Sequence, residues 1–281
     1  MNQRIIARLD IKGPNLVKGI QLEGLRVLGK PELFAKYYYE NGADELLFMD
    51  VVASLYGRNS LIDLISKTAR DVFIPLTVGG GIRSLDDINS VLRAGADKVC
   101  LNTSAIKNPN LVKEAAKKYG SSTIVIAIEA IKQVNGDYLA YTDNGREFTG
   151  VEVIKWAKKV EELGAGEVIL TSVDHEGTGI GFDIDLISNV ASQLTIPVVA
   201  HGGCGKMDDL LELFNKTEAQ AVSLASIIHY DTFNRLDKLE IGDEGNLDFL
   251  HSGRGFKNIH AESISNIKKY LSENKISCRS I

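Results

Sequence analysis

The chain has 281 residues, 44% of them hydrophobic and 25% charged, a balance found in ordered globular proteins and not in disordered ones. Thirty-two basic residues against 37 acidic ones give a net charge of −5, which lacks the basic footprint of a nucleic-acid binder. The three cysteines are far apart and form no C-x-x-C pair, and no apolar run approaches the roughly 20 residues of a membrane span. A cytoplasmic protein without a signal peptide is expected, long enough for one large domain spanning residues 1–281.

Taken in chain order, eight short apolar runs have strand character: 5–9, 46–51, 75–78, 98–101, 124–128, 168–171, 197–200 and 221–225. Continuous β-branched runs of this length suit strands buried on both faces of a parallel sheet. Amphipathic stretches of helical period lie between them, among them 31–41, 85–94, 109–119 and 150–163. Ser84, Asp183 and Asp208 open helices and Gly42, Gly95 and Gly164 close them. Eight strand–helix units predict a (β/α)8 barrel. A doubly wound dinucleotide fold would need G-x-G-x-x-G after the first strand, where this chain has Asp10-Ile11-Lys12. Residues 230–259 interrupt the pattern between the eighth strand and a final helix at 260–274, and read as an insertion on the face where barrel loops carry function.

The chain also repeats itself. FIPLTVGGGI at 73–82 matches TIPVVAHGGC at 195–204, an offset of 122 from Pro75 to Pro197. The same offset pairs Gly80 with Gly202, Gly81 with Gly203, Ser104 with Ser226, and Gly42-Ala43 with Gly164-Ala165. An offset of 119 pairs Asp10 with Glu129. The barrel is therefore built from two similar halves.

In this fold chemistry gathers at the C-terminal ends of the strands. Asp10 and Glu129 end strands one and five, and a facing pair of carboxylates suits a general acid and a general base; helix caps or lysine partners are the structural alternative. Gly80-Gly81 and Gly202-Gly203 follow strands three and seven, where exposed backbone N–H groups can cradle an anion. Asn102, Thr103 and Ser104 stand beside the first pair, and Ala225 and Ser226 beside the second. Two such cradles across the ring imply a substrate with a phosphate at each end. His201 ends strand seven and is either a donor at the mouth or a packed polar residue. The histidines His175, His201, His229, His251 and His260 show no ligand spacing, so neither a metal nor a cofactor is expected. Gly202–Lys206 resembles a P-loop, but Met207 occupies the magnesium-binding position. At the opposite face, Arg4, Glu45, Lys98 and Glu167 start strands one, two, four and six, as either a structural ion cluster or the rim of an opening.

The segments RIIARLDIK, LVKG, ADELLFMD, IPLTVGGGIRS, GADKVCLNT and GAGEVILTS, with D-x-x-G-T at 174–178, resemble the cyclase subunits of imidazole glycerol phosphate synthase over residues 3–229 and 260–279. The resemblance implies an enzyme of histidine biosynthesis. It would convert a two-phosphate ribonucleotide and ammonia to imidazole glycerol phosphate and aminoimidazole carboxamide ribotide. It also implies a glutaminase subunit docked at the N-terminal face and sending ammonia through the barrel, with no nucleic-acid or membrane partner. By resemblance Asp10 is a catalytic aspartate and Lys18 a substrate-contacting loop lysine. Gly81, Asn102 and Thr103 would hold one phosphate, Gly203, Ala225 and Ser226 the other, and Thr171 would line the site. Arg4, Glu45, Lys98 and Glu167 would gate the ammonia passage, and Asp97 would face the glutaminase.

The chain departs from that pattern at the mouth. Glu129 replaces an aspartate, His201 a serine, Arg8 a cysteine and Glu176 an aspartate; Gly13-Pro14-Asn15 replaces Asp-Gly-Arg. A displacement of about 1 Å can cost on the order of a hundredfold in rate, so the longer Glu129 matters. With the gate intact and the mouth altered, a second reading is a divergent paralogue that delivers ammonia for amidination of a surface-polysaccharide sugar. A third, an isomerase of the sister barrel family, fits the gate residues and GAGEVILTS least.

Overall fold

The computed structural model describes residues 2–52, 59–236 and 258–280. Eight parallel strands close into a barrel: β1 (Arg4–Lys12), β4 (Glu45–Asp50), β5 (Leu76–Gly79), β6 (Lys98–Leu101), β7 (Ile124–Lys132), β10 (Glu167–Ser172), β11 (Val198–His201) and β12 (Ala221–Leu224). Each pairs with the next in that order, and β12 returns to β1. Helices α1 (Pro31–Glu40), α2 (Asn59–Asp71), α3 (Leu85–Arg93), α4 (Thr103–Lys107), α5 (Asn110–Tyr119), α6 (Val153–Glu162), α7 (Ile184–Ala191), α8 (Met207–Lys216), α9 (Ser226–Arg235) and α10 (Ile264–Glu273) follow the strands.

Strand alternation sorts the core into two shells. On β1, Ile5, Ala7, Leu9 and Ile11 pack outward against the helices, while Ile6 packs inward with Leu47, Cys100, Val125, Ala127, Ile169, Val199 and Ala221. The barrel interior is thus lined by an apolar layer of side chains, as the period of two along each strand requires.

The two halves are alike down to the strand register. Ala7 pairs with Leu46 and Ile126 with Val168; Leu46 pairs with Leu76 and Val168 with Val198. Asp10 stands beside Met49 and Glu129 beside Thr171, so the two acids are equivalent. On the last strand of each half the offset grows by one, because Thr77 pairs with Lys98 and Val199 with Ala221. Thr103, rather than Ser104, is therefore the counterpart of Ser226. The helix starts repeat as well: Arg83 N–H donates to Asp87 at 2.8 Å and Gly205 N–H to Asp209 at 2.8 Å. Ser84 and Asp183 cap their helices as expected, but Asp208 lies within the first turn of α8, whose N-cap is Lys206. Gly42, Gly95 and Gly164 end helices at positive φ.

Two hairpins were not expected. β2 (Asn15–Ile20) and β3 (Glu23–Gly29) follow β1; β8 (Tyr138–Thr142) and β9 (Glu147–Glu152) follow β7. The second hairpin takes residues assigned to a helix starting at 150, and α6 begins only at Val153, where Glu152 accepts hydrogen bonds from Ile154 and Lys155 N–H. Of the segment 230–259, residues up to Arg235 continue α9, and 237–257 lie outside the described residues.

Candidate active site at the barrel mouth

Inward-facing residues form a ladder from one end of the barrel to the other. At the N-terminal end Arg4, Glu45, Lys98 and Glu167 close an alternating ring. Arg4 donates to Glu45 and, at 2.5 Å, to Glu167; Lys98 donates to Glu45 at 2.9 Å and to Glu167 at 3.2 Å. The two glutamates are repeat-related, whereas both cations come from the first half. Asp97, expected at this face, is there; its carboxylate accepts the N–H of Leu76 at 2.8 Å. Asp44 does the same for Ile5 and the Gln220 amide oxygen for Val198, each at 2.8 Å, so at all three positions a side chain ties down the start of the neighbouring strand.

Above the apolar layer lie Arg8, Asp10, Glu129, Thr171 and His201. Arg8 donates to Asp10 at 2.8 Å and, more weakly, to Thr171 at 3.4 Å. Glu129 is buried and accepts the N–H of Gly145 at 2.8 Å. Burial outweighs the hydrogen bonds from Gly145 and Asn102 and the attraction of Arg8, and pushes its carboxyl up to about 7. His201 donates from Nδ1 to the Ser223 carbonyl at 2.8 Å, and its Nε2 has no partner among the described residues. Burial, reinforced by Arg8, drives its imidazole far below the usual range, so the ring is neutral.

The first anion cradle opens onto a cavity of about 560 Å³ lined by Gly80, Gly81, Asn102, Thr103 and Glu129. Gly80 has φ 98°, and a Cβ there would sit 2.3 Å from the Asp50 carbonyl oxygen, so only glycine fits. Asn102 precedes α4 with φ −131°, ψ −87°, and Ala225 precedes α9 with φ −132°, ψ −88°. The cradles therefore share a backbone. They differ in space: the pocket around Gly202, Gly203, Ala225 and Ser226 holds only about 20 Å³, room for one water. Glu176 and His201 line it.

Lys18 is on β2, buried, with its ammonium donating to Glu176 and, at 2.9 Å, to the Gly19 carbonyl. Glu176 also accepts the N–H of Leu22 at 3.0 Å, and its own carbonyl accepts that of Gln21 at 2.8 Å. This carboxylate therefore pins the β2–β3 hairpin over the mouth. Glu129 and the first glycine turn thus line one cavity, Asp10 and Thr171 are joined to each other through Arg8, and Lys18 is engaged by Glu176. The sequence reading missed Gly145 as the donor to Glu129; Asn135-Gly136 and Asn144-Gly145 on either side of β8 were the hairpin signal for it.

Residues 4–234 match the family model described as "Histidine biosynthesis protein". A Legionella pneumophila relative named "Imidazole glycerol phosphate synthase subunit HisF" is 57% identical over 208 residues, 74% of this chain and 98% of its own. Proteins of the same name from Prochlorococcus marinus (strain AS9601) and Streptococcus mutans are 49% identical over 228 residues and 46% over 230. Those matches cover 80% and 82% of this chain, and 89% and 92% of the relatives. On this footing the chain belongs to the histidine-biosynthesis family of HisF-type subunits.

Proposed function

We propose that the chain is the cyclase subunit of an imidazole glycerol phosphate synthase. In this reading it closes the imidazole ring of a two-phosphate ribonucleotide with ammonia and releases an aminoimidazole carboxamide ribotide. The observation that carries the reading is the register-equivalent pair Asp10 and Glu129, facing one mouth above a lumen whose far end is ringed by charge. An acid that titrates near neutrality can both give and take a proton at the pH where the enzyme works. Glu129 meets that condition, so it acts as the general acid, with ion-paired Asp10 as the base.

The substrate's phosphates would lie on the N–H groups of Gly81 and Thr103 at one end and of Gly203 and Ser226 at the other. The second cradle must first open, by movement of the β2–β3 hairpin that carries Lys18. A partner glutaminase would dock on the N-terminal face beside Asp97 and feed ammonia through the ring of Arg4, Glu45, Lys98 and Glu167. An apolar lumen admits neutral ammonia and rejects ammonium, whose desolvation costs far more. The named relatives carry the cyclase-subunit name and give no support to the sugar-amidination reading. The test is an ammonium-dependent cyclase assay with the ribonucleotide. Turnover that Asp10→Asn abolishes, with binding retained, is expected; turnover surviving in Asp10→Asn would overturn the acid–base assignment.

A further inference from the structure

The inward face of β1 alternates Arg4, Ile6, Arg8 and Asp10. Arg4 reaches Glu167 at the start of β10; Arg8, four residues on, reaches Thr171, four residues on along the same strand. β1 and β10 are not neighbours, for β11 and β12 separate them on one side and β4 to β7 on the other. Both arginines therefore cross the lumen, and the second crossing repeats the first about 13 Å further along the strand. Between the crossings lies the apolar layer of Ile6, Leu47, Cys100, Val125 and Ile169. Arg8 is anchored at its near end by Asp10, with both side chains buried. The repeat counterpart of Arg8 is Ala127, so this bar comes from one side only.

We propose that Arg8 is the upper gate of the barrel lumen, closing it beneath the mouth by bridging Asp10 and Thr171 as Arg4 closes it below. The closure is a property of this chain; that ammonia is what passes rests on the proposed function. A guanidinium suits that post. It repels ammonium arriving from the mouth and can donate a hydrogen bond to neutral ammonia arriving from below. Its main anchor is Asp10, the acid that the substrate would engage. A substrate that draws the Asp10 carboxylate toward itself loosens Arg8, so the passage opens when there is something to react with.

Cys100 reports on the gate without any turnover. Cys100 belongs to the apolar layer and borders the mouth cavity, yet it is only 2% exposed. Burial pushes its thiol up to about 12, and Arg8 pulls the other way. The thiolate is the reacting form, so removing Arg8 merely as a charge would slow labelling, whereas removing it as a gate speeds labelling. The experiment treats the full-length protein with methyl methanethiosulfonate and follows the Cys100 peptide by mass spectrometry. Labelling in Arg8→Ala is expected to be at least about tenfold faster than in the wild type, and within about twofold in Arg8→Lys, because rate tracks the open population. Arg8→Ser, whose short side chain cannot reach Thr171, gives the same result by a second route if the alanine variant does not fold. Unchanged or slower labelling in the folded variants, or a wild-type Cys100 that already labels like a free thiol, overturns the gate. An inactive wild type in the ammonium assay would instead remove the cyclase reading and leave the gate standing.

Discussion

Asp10 and Glu129 hold equivalent positions in the two halves of the barrel, yet among the described residues only Asp10 has a cation hydrogen-bonded to it, Arg8 at 2.8 Å. Glu129 instead holds its proton until about pH 7 because it is buried. The folded chain therefore binds a proton that the unfolded chain releases near 4.5, and this stabilisation is lost as pH rises from there through about 7. Glu129→Gln has no such proton to lose. Urea unfolding of both proteins across this range should show the glutamine variant gaining on the wild type as pH rises. A difference that does not change with pH would refute the burial of an ionisable Glu129.

Lys98 bridges Glu45 and Glu167 with its side chain one-fifth exposed. Lys98→Ala leaves both carboxylates with Arg4 alone, at a cost of about 1–3 kcal/mol for a partly buried pair that loses one partner. If the ring gates ammonia, the same variant, assembled with its glutaminase, should hydrolyse glutamine without matching product. Unchanged coupling, read as the ratio of glutamate to imidazole product, would count against a passage through the ring.

Much of this architecture is written in local pattern. The eight barrel strands are runs such as RIIARLD and EVILTS, whose burial on both faces leaves no choice of register once the halves repeat. The positions of the two acids, the Gly-Gly pairs and the charged ring could be placed because each sits at a strand end. What escaped depends on contacts across the ring. Nothing local says that Lys18 will spend its charge on Glu176, 158 residues away, or that Arg8 will span to Thr171, 163 residues away. The β2–β3 hairpin escaped for another reason: its turn uses Gln21 and Leu22 at positive φ, residues that carry no turn signal.

The cradle glycines should be intolerant of even one methyl. Gly203 has φ 105°, and a Cβ there would lie 2.0 Å from the Gly181 carbonyl oxygen, so backbone must move. Gly203→Ala is expected to cost more than about 2 kcal/mol and to abolish phosphate-dependent substrate binding. Gly24 has φ 62° but nothing within 4 Å of a built Cβ, so Gly24→Ala should cost only the left-handed strain of about 1 kcal/mol. Equal melting temperatures for the two variants would contradict the close approach at Gly203.

Lys18 and Glu176 form a buried pair, with side chains 2% and 1% exposed, between the β2–β3 hairpin and the loop after β10. Removing one partner strands the other's charge where water cannot reach it. Lys18→Met should therefore cost about 3–5 kcal/mol. Lys18→Met with Glu176→Gln should recover much of that, since the glutamine still accepts the Leu22 N–H and carries no charge. Urea unfolding of the four proteins closes the cycle, with a coupling of about 2 kcal/mol expected. Additivity within about 0.5 kcal/mol would mean that the pair is not held together in solution, and that Lys18 is already free to meet a substrate phosphate.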